Sequence, residues 1–159
     1  MIPLNFTPEE FNQVLEKARR LYASFPEVRC PYFRDFVQFN PQGLEHLRRK
    51  AWNRGREQRD QFMRLKHVAQ APEILRLSQT VQGILETKEW ERKHRHGRWE
   101  KQMVLVTYYE FVAVIEKRRF KVIVKQLPGG ERIFWSLIPF WRQNEQGGRF
   151  LHDGNPSKD

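Results

Sequence analysis

His46, Lys125 and Ser136 are the residue types that can break a phosphodiester without help from a metal, and all three occur in settings that suit the work. An imidazole can take a proton from a hydroxyl nucleophile. A lysine ammonium stabilises negative charge on a pentacoordinate phosphorus, and a serine hydroxyl can hydrogen-bond a phosphate oxygen. His46 is followed at three, four and seven residues by Arg49, Lys50 and Asn53, which share its face if the segment is helical. Cations beside a histidine lower its tendency to protonate, which keeps it available as a base near neutral pH. The plain alternative is a surface histidine with a structural hydrogen bond.

The surroundings of His46 are strongly basic. Between Pro41 and Lys66 stand Arg48, Arg49, Lys50, Arg54, Arg56, Arg59, Arg64 and Lys66, against Glu45, Glu57 and Asp60. That stretch carries half of a net charge of +10, so it reads either as a solvated helix face or as a surface for a polyanion. Lys125 and Ser136 belong to one hairpin. Closure around Gly129-Gly130 sets Lys125 opposite Phe134, so that Lys125, Phe134 and Ser136 share a sheet face unless a bulge intervenes. Trp135 alternates with Ser136 and reads first as core, second as a ring on which a base stacks. Lys93-His94-Arg95-His96 has the look of a metal-ligand pair, but it is cationic and lacks carboxylates and cysteines. It reads better as a clamp on a substrate strand or as a merely solvated run. His67 reads as structural, and no phosphate-loop, dinucleotide or zinc pattern occurs.

The elements that must position these residues are legible in outline. Thr7-Pro8-Glu9-Glu10 starts a helix, and Phe11, Val14, Leu15, Ala18, Leu21, Tyr22 and Phe25 follow at helical spacing up to Pro26. Tyr32 to Phe39 reads as a short strand. Asn40-Pro41 opens a second helix of about three turns, broken at Gly55. Glu57 to Gln70 is helical, with a further turn through Leu77. From Thr80 the period becomes two. A strand around Val81 and Ile84 precedes a charged loop from Arg92 to Arg98. Three strands then follow, Met103–Ile115, Phe120–Lys125 and Arg132–Ile138, joined by hairpins at 116–119 and 128–130. The expected fold is α+β, with N-terminal helices packed on one face of a roughly four-stranded antiparallel sheet. The expected organisation is a helical arm over 1–26, a core over 27–141 and a mobile polar tail over 142–159.

Bulk composition narrows the setting. A chain of 159 residues suits one domain, and pI near 10.1 attracts RNA, DNA, an anionic surface or an acidic protein. The lone Cys30 cannot form an internal disulfide, and no N-terminal or spanning apolar run is visible. A cytoplasmic location with no membrane association is expected.

Five stretches together resemble a known family. They are Val37-Gln38-Phe39-Asn40-Pro41-Gln42-Gly43-Leu44-Glu45-His46-Leu47 with the basic stretch ending Ala71-Pro72-Glu73-Ile74-Leu75, then Tyr109–Ile115 and Phe120–Gln126, then Phe134-Trp135-Ser136-Leu137-Ile138-Pro139. Over residues 32 to 139 the chain is similar to the phage-type barnase–EndoU–colicin–RelE-like (BECR) nucleases. The resemblance implies a BECR/RelE-like fold and a metal-independent endoribonuclease with no cofactor. It further implies a toxin in a toxin–antitoxin pair, neutralised by an acidic antitoxin or immunity protein. It maps the family's histidine onto His46, its strand cation onto Lys125 and its strand hydroxyl onto Ser136. The N-terminal helix falls outside the match and is left as an antitoxin-binding arm, a dimer contact or core cover.

The leading expectation is cleavage of RNA through attack by a ribose 2′-hydroxyl, with His46 as base, Lys125 with Arg49 or Lys50 stabilising the phosphorane, and Ser136 orienting a phosphate oxygen. Arg48, Arg54, Arg56, Arg59, Arg64, Arg95 and Trp135 are the expected RNA contacts. The rivals are a non-catalytic RNA- or DNA-binding module and a toxin-like fold that grips a protein.

Overall fold

The computed structural model of the protein describes residues 5–51 and 54–139, with only the backbone described at Ala51 and Lys93. The tail expected over 142–159, and Asn53, lie outside the described residues.

Thr7 opens the first helix by reciprocal capping. Its hydroxyl accepts from the Glu10 backbone N–H at 3.1 Å, and the Glu10 carboxylate accepts from the Thr7 N–H at 3.4 Å. Helix α1 (Pro8–Ser24) buries Leu15, Ala18 and Tyr22, and ends where Phe25 turns extended ahead of Pro26. The Tyr22 hydroxyl donates to the Asn40 carbonyl, tying α1 to the start of the second helix.

Strands β1 (Val28–Cys30) and β2 (Asp35–Gln38) then form a small antiparallel hairpin. The single strand expected over 32–39 is thus corrected. Tyr32 and Phe33 sit in the connecting turn, and their rings pack edge-on against Tyr109 and Phe111. An aromatic run has the propensity of a strand, but here it anchors a turn to the sheet.

Helix α2 (Pro41–Arg48) is capped by Asn40, whose side chain accepts from the Gly43 N–H at 3.3 Å. It is shorter than the three turns expected. The Arg56 N–H donates to the Arg48 carbonyl at 2.9 Å, so the chain doubles back onto the helix end. Arg49 and Lys50 leave the helix in strand β3 (Arg49–Ala51), which pairs with β4 (Arg54–Gly55). Helices α3 (Gln58–Lys66) and α4 (Gln70–Leu77) follow, separated by a turn at 67–69.

The meander comprises β5 (Gly83–Arg95), β6 (Arg98–Ile115), β7 (Arg118–Gln126) and β8 (Arg132–Pro139). Glu116 and Lys117 both take positive φ, 49° and 66°, as a two-residue hairpin turn demands, and Gly129 does so in the next turn. The charged loop expected over 92–98 is strand instead, turning only at His96-Gly97. Among the described residues the main sheet has six strands in the order β1-β2-β8-β7-β6-β5. It is mixed, because β2 runs parallel to β8 at Val37↔Arg132 and Gln38↔Ile133. The α+β class stands, while the four-stranded antiparallel sheet is corrected to this larger one.

Strand alternation divides the sheet into two faces. Phe111, Phe120, Val122, Val124, Phe134 and Leu137 form one core with the apolar sides of all four helices. Val104, Val106, Tyr108, Ile123 and Ile138 are buried on the opposite face, with Trp135 packed against them. Helix α1 contributes Leu15, Ala18 and Tyr22 to the first core.

Candidate functional site

The site is built on the second face of the sheet, around an irregularity in β8. Ile123 pairs with Ser136 but Val124 pairs with Phe134, leaving Trp135 as an extra residue. This bulge corrects the expected register: Lys125 is opposite Ile133, and Phe134 belongs to the helix-side core. Trp135 takes the place expected for Phe134. The Lys125 ammonium lies 4.3 Å from the centroid of its ring.

The other side of the Trp135 indole is reached from α2. β2 pairs with β8 only as far as Ile133, and the chain then turns into α2, which runs beside the rest of β8. Gly43 makes this approach possible, since a Cβ there would collide with the Phe134 carbonyl and ring. Leu47 points into the helix-side core, and His46 turns to Trp135, with ring centroids 4.2 Å apart and planes inclined by 22°.

Two buried arginines complete the cluster. Arg56 donates from Nε to the His46 carbonyl at 2.9 Å, and its Nη2 lies 3.0 Å from His46 Nε2. A guanidinium can only donate, so Nε2 is the acceptor and the imidazole carries its proton on Nδ1. Arg64 donates to the Ser136 hydroxyl at 2.7 Å and to Asp60 at 2.6 Å, while Asp60 also lies 3.7 Å from Arg56. Lys125 pairs with Glu91 at 3.0 Å, and the nearby Tyr108 hydroxyl donates to Glu89 at 2.7 Å.

His46 is 5% exposed, and Arg56, Arg64, Lys125 and Ser136 are likewise buried. Burial, with the charges of Arg56, Arg64 and Lys125, pushes the imidazole pKa down to about 2, so it is neutral at physiological pH. Burial and the bond to Glu89 push the Tyr108 phenol up. The cluster therefore offers a neutral imidazole and an ammonium against one indole, with a guanidinium on the imidazole and another on the neighbouring hydroxyl, and with Asp60 and Glu91 as counter-ions.

His46, Lys125, Ser136 and Trp135 are thus brought together, with Arg56 and Arg64. Arg49 and Lys50 do not share a helical face with His46, because the helix ends before them; Arg49 instead pairs with Glu45 at 2.9 Å. Arg48 bonds Gln61 at 3.4 Å. Arg54, Arg59 and Arg95 are exposed, at β4, on α3 and at the end of β5. So the basic stretch splits: Arg56 and Arg64 enter the interior rather than form a surface. Asp60, Glu89, Glu91 and Tyr108 escaped the sequence reading. The four-residue spacing Arg56–Asp60–Arg64 was the available signal for the first, and the strand spacing of Glu89 and Glu91 for the next two.

His67 packs edge-on to Phe120 at 5.7 Å, and burial pushes its pKa down to about 4, in keeping with a structural role. Among the described residues no three His, Cys, Asp or Glu side chains gather as a metal site, and no helix is long and apolar enough to cross a membrane. Compared with known proteins, the chain matches no family model, no curated protein and no solved structure.

Proposed function

We propose that the protein is a metal-independent endoribonuclease whose phosphate-handling groups are Lys125, Arg56, Arg64 and Ser136, with His46 as the base. The observation that carries this reading is that the His46 imidazole and the Lys125 ammonium both lie against the Trp135 ring, with the Arg56 guanidinium on His46 and that of Arg64 on the adjoining Ser136 hydroxyl. The ribose 2′-hydroxyl attacks the adjacent phosphorus, its proton passes to His46, and the bond to the 5′-oxygen breaks as that oxygen takes a proton from water, giving a 2′,3′-cyclic phosphate and a 5′-hydroxyl. Lys125 and the guanidiniums stabilise the charge that develops on the phosphorane.

His46 acts only after its Nε2 is released by Arg56. A guanidinium binds a phosphate through paired, charge-assisted hydrogen bonds, which are stronger than one bond to a neutral imidazole. An incoming phosphodiester therefore draws Arg56 away. Its negative charge also offsets the charges of Arg56, Arg64 and Lys125, which add to burial in holding the imidazole pKa down. In the toxin form of this reading, an acidic antitoxin or immunity protein is the partner that blocks the cationic site.

The burial of His46 and the engagement of its Nε2 favour a second reading, an RNA-binding module that does not cleave. Incubation with a mixed-sequence RNA in EDTA separates the two. The nuclease reading expects products ending in 2′,3′-cyclic phosphate and a loss of about 10²-fold or more in kcat for Lys125→Met. Unchanged cleavage by His46→Ala would remove His46 from the mechanism. Salt-sensitive binding with intact RNA would establish the second reading.

A further inference from the structure

The β5–β6 hairpin reaches well beyond the rest of the sheet. β6 meets β7 only from Thr107 onward, so among the described residues the pairs from Thr87↔Val106 to Arg95↔Arg98 have no third strand. At about 3.3 Å per residue this two-stranded arm is roughly 25–30 Å long. Its two faces differ in kind. Lys88, Trp90, Arg92 and His94 alternate along β5, and their register partners Leu105, Met103, Lys101 and Trp99 share that face. All eight are exposed, Trp90 and Trp99 each by 65%. The carboxylates Glu89, Glu91 and Glu100 stand on the opposite face.

Two exposed indoles on one ribbon face are unusual for surface that meets only water. Here they are interleaved with three cations and no acid from Lys88 outward. The Arg92 guanidinium lies 5.5 Å from the Trp99 ring centroid, and the His94 ring meets Trp99 at 5.2 Å. Cations spaced between flat rings match a chain of phosphates spaced between bases. From this charge pattern we infer that the outer face of the arm binds a single-stranded stretch of RNA. Bases stack on Trp90 and Trp99, about 13 Å apart along the ribbon, while Lys88, Arg92 and Lys101 meet phosphates. β5 is an edge strand, and Glu91, the partner of Lys125, lies between Trp90 and Arg92. A bound strand can therefore cross that edge from the arm toward the Trp135 cluster. The inference rests on the ribonuclease reading for the identity of the nucleic acid.

The test is affinity for a 2′-O-methyl oligouridine of about twelve nucleotides, read by fluorescence anisotropy across a salt series. The Trp90→Ala/Trp99→Ala variant is expected to bind at least fivefold more weakly per ring lost. Lys88→Gln/Arg92→Gln/Lys101→Gln should flatten the plot of log K against log salt by about 2, at roughly 0.7 per phosphate contact. Circular dichroism checks that these surface variants keep the fold. Wild-type affinity and slope in both variants would overturn the inference and leave the face to a protein partner. The oligonucleotide cannot be cut by 2′-hydroxyl attack, so the two proposals fail separately. Binding through the arm without cleavage of ordinary RNA sinks only the nuclease, and cleavage with unchanged arm-variant binding sinks only the arm.

Discussion

At the scale of the residue, the chemistry turns on groups held in unusual states by burial. His46 is neutral in the folded chain down to about pH 2, whereas an unfolded histidine protonates near 6.5. Below pH 6.5 the unfolded state therefore takes up a proton that the folded state refuses. Stability is complete above that value and is lost as the pH falls from 6.5 toward 2. Between pH 6.5 and 5 this costs about 2 kcal/mol for His46, at 1.36 kcal/mol per pH unit. His67 acts with the same sign, down to about 4. Urea unfolding at pH 7.5 and pH 5 reads the sum, and His46→Gln, which keeps an acceptor for Arg56, should lose a large part of the difference. Parallel curves for the two proteins would show that His46 is not held neutral. Asp60 is the counterpart on the acidic side, lying against two buried guanidiniums. Asp60→Asn leaves both without their carboxylate and should cost about 3–5 kcal/mol, read as a lowered urea midpoint.

At the scale of the element, the site depends on how closely α2 approaches β8. Gly43→Ala puts a methyl into the Phe134 carbonyl and ring, with the Tyr22 hydroxyl on another side, so there is no direction of easy retreat. The expected loss is about 1–3 kcal/mol in thermal or urea unfolding and, on the proposed ribonuclease reading, weakened RNA binding as His46 shifts from Trp135. An unchanged melting temperature would mean that α2 has room the structure denies it. The elements also show what a sequence can and cannot carry. The capping box at Thr7 and Glu10, the cap at Asn40 and the hairpin turns at 116–119 and 128–130 are local devices, and each is readable from a few adjacent letters. β1 is not, since Val28-Arg29-Cys30 is too short to show a period. The outer half of β5 has the sequence of a charged loop because its alternation sorts aromatic and basic residues from acidic ones, not apolar from polar. The parallel contact of β2 with β8 joins residues almost a hundred positions apart and leaves no local trace. The bulge at Trp135 escaped for a related reason: facing was inferred from a strict period of two, which one extra residue breaks. So the types of the site residues were legible, but their burial was not, because it follows from the path of α2 beside β8.

At the scale of the whole molecule, stability should be distributed unevenly, and the distribution bears on both proposals. β7 is central, hydrogen-bonded on one side to β6 and on the other to β8, and its side chains from Phe120 to Lys125 are buried. The arm has neither advantage: past Thr87 and Val106 it is two strands with a solvent-facing outer surface, and an isolated pair of strands is marginal in water. Its inner end is held by contacts on the other face, where Val104 and Val106 are buried, Glu89 accepts from Tyr108 and Glu91 pairs with Lys125. Opening should therefore begin at His96-Gly97 and fade toward those anchors. Native-state hydrogen exchange gives this a direct reading. Amides of β7 should exchange only through global unfolding, while those of the arm exchange through local opening, with protection rising from Arg95 back toward Thr87. Uniform protection along β5 would refute the independent arm. If the gradient is found, added 2′-O-methyl oligouridine should raise protection in the arm first, because a ligand on its outer face stabilises the paired ribbon over the frayed one.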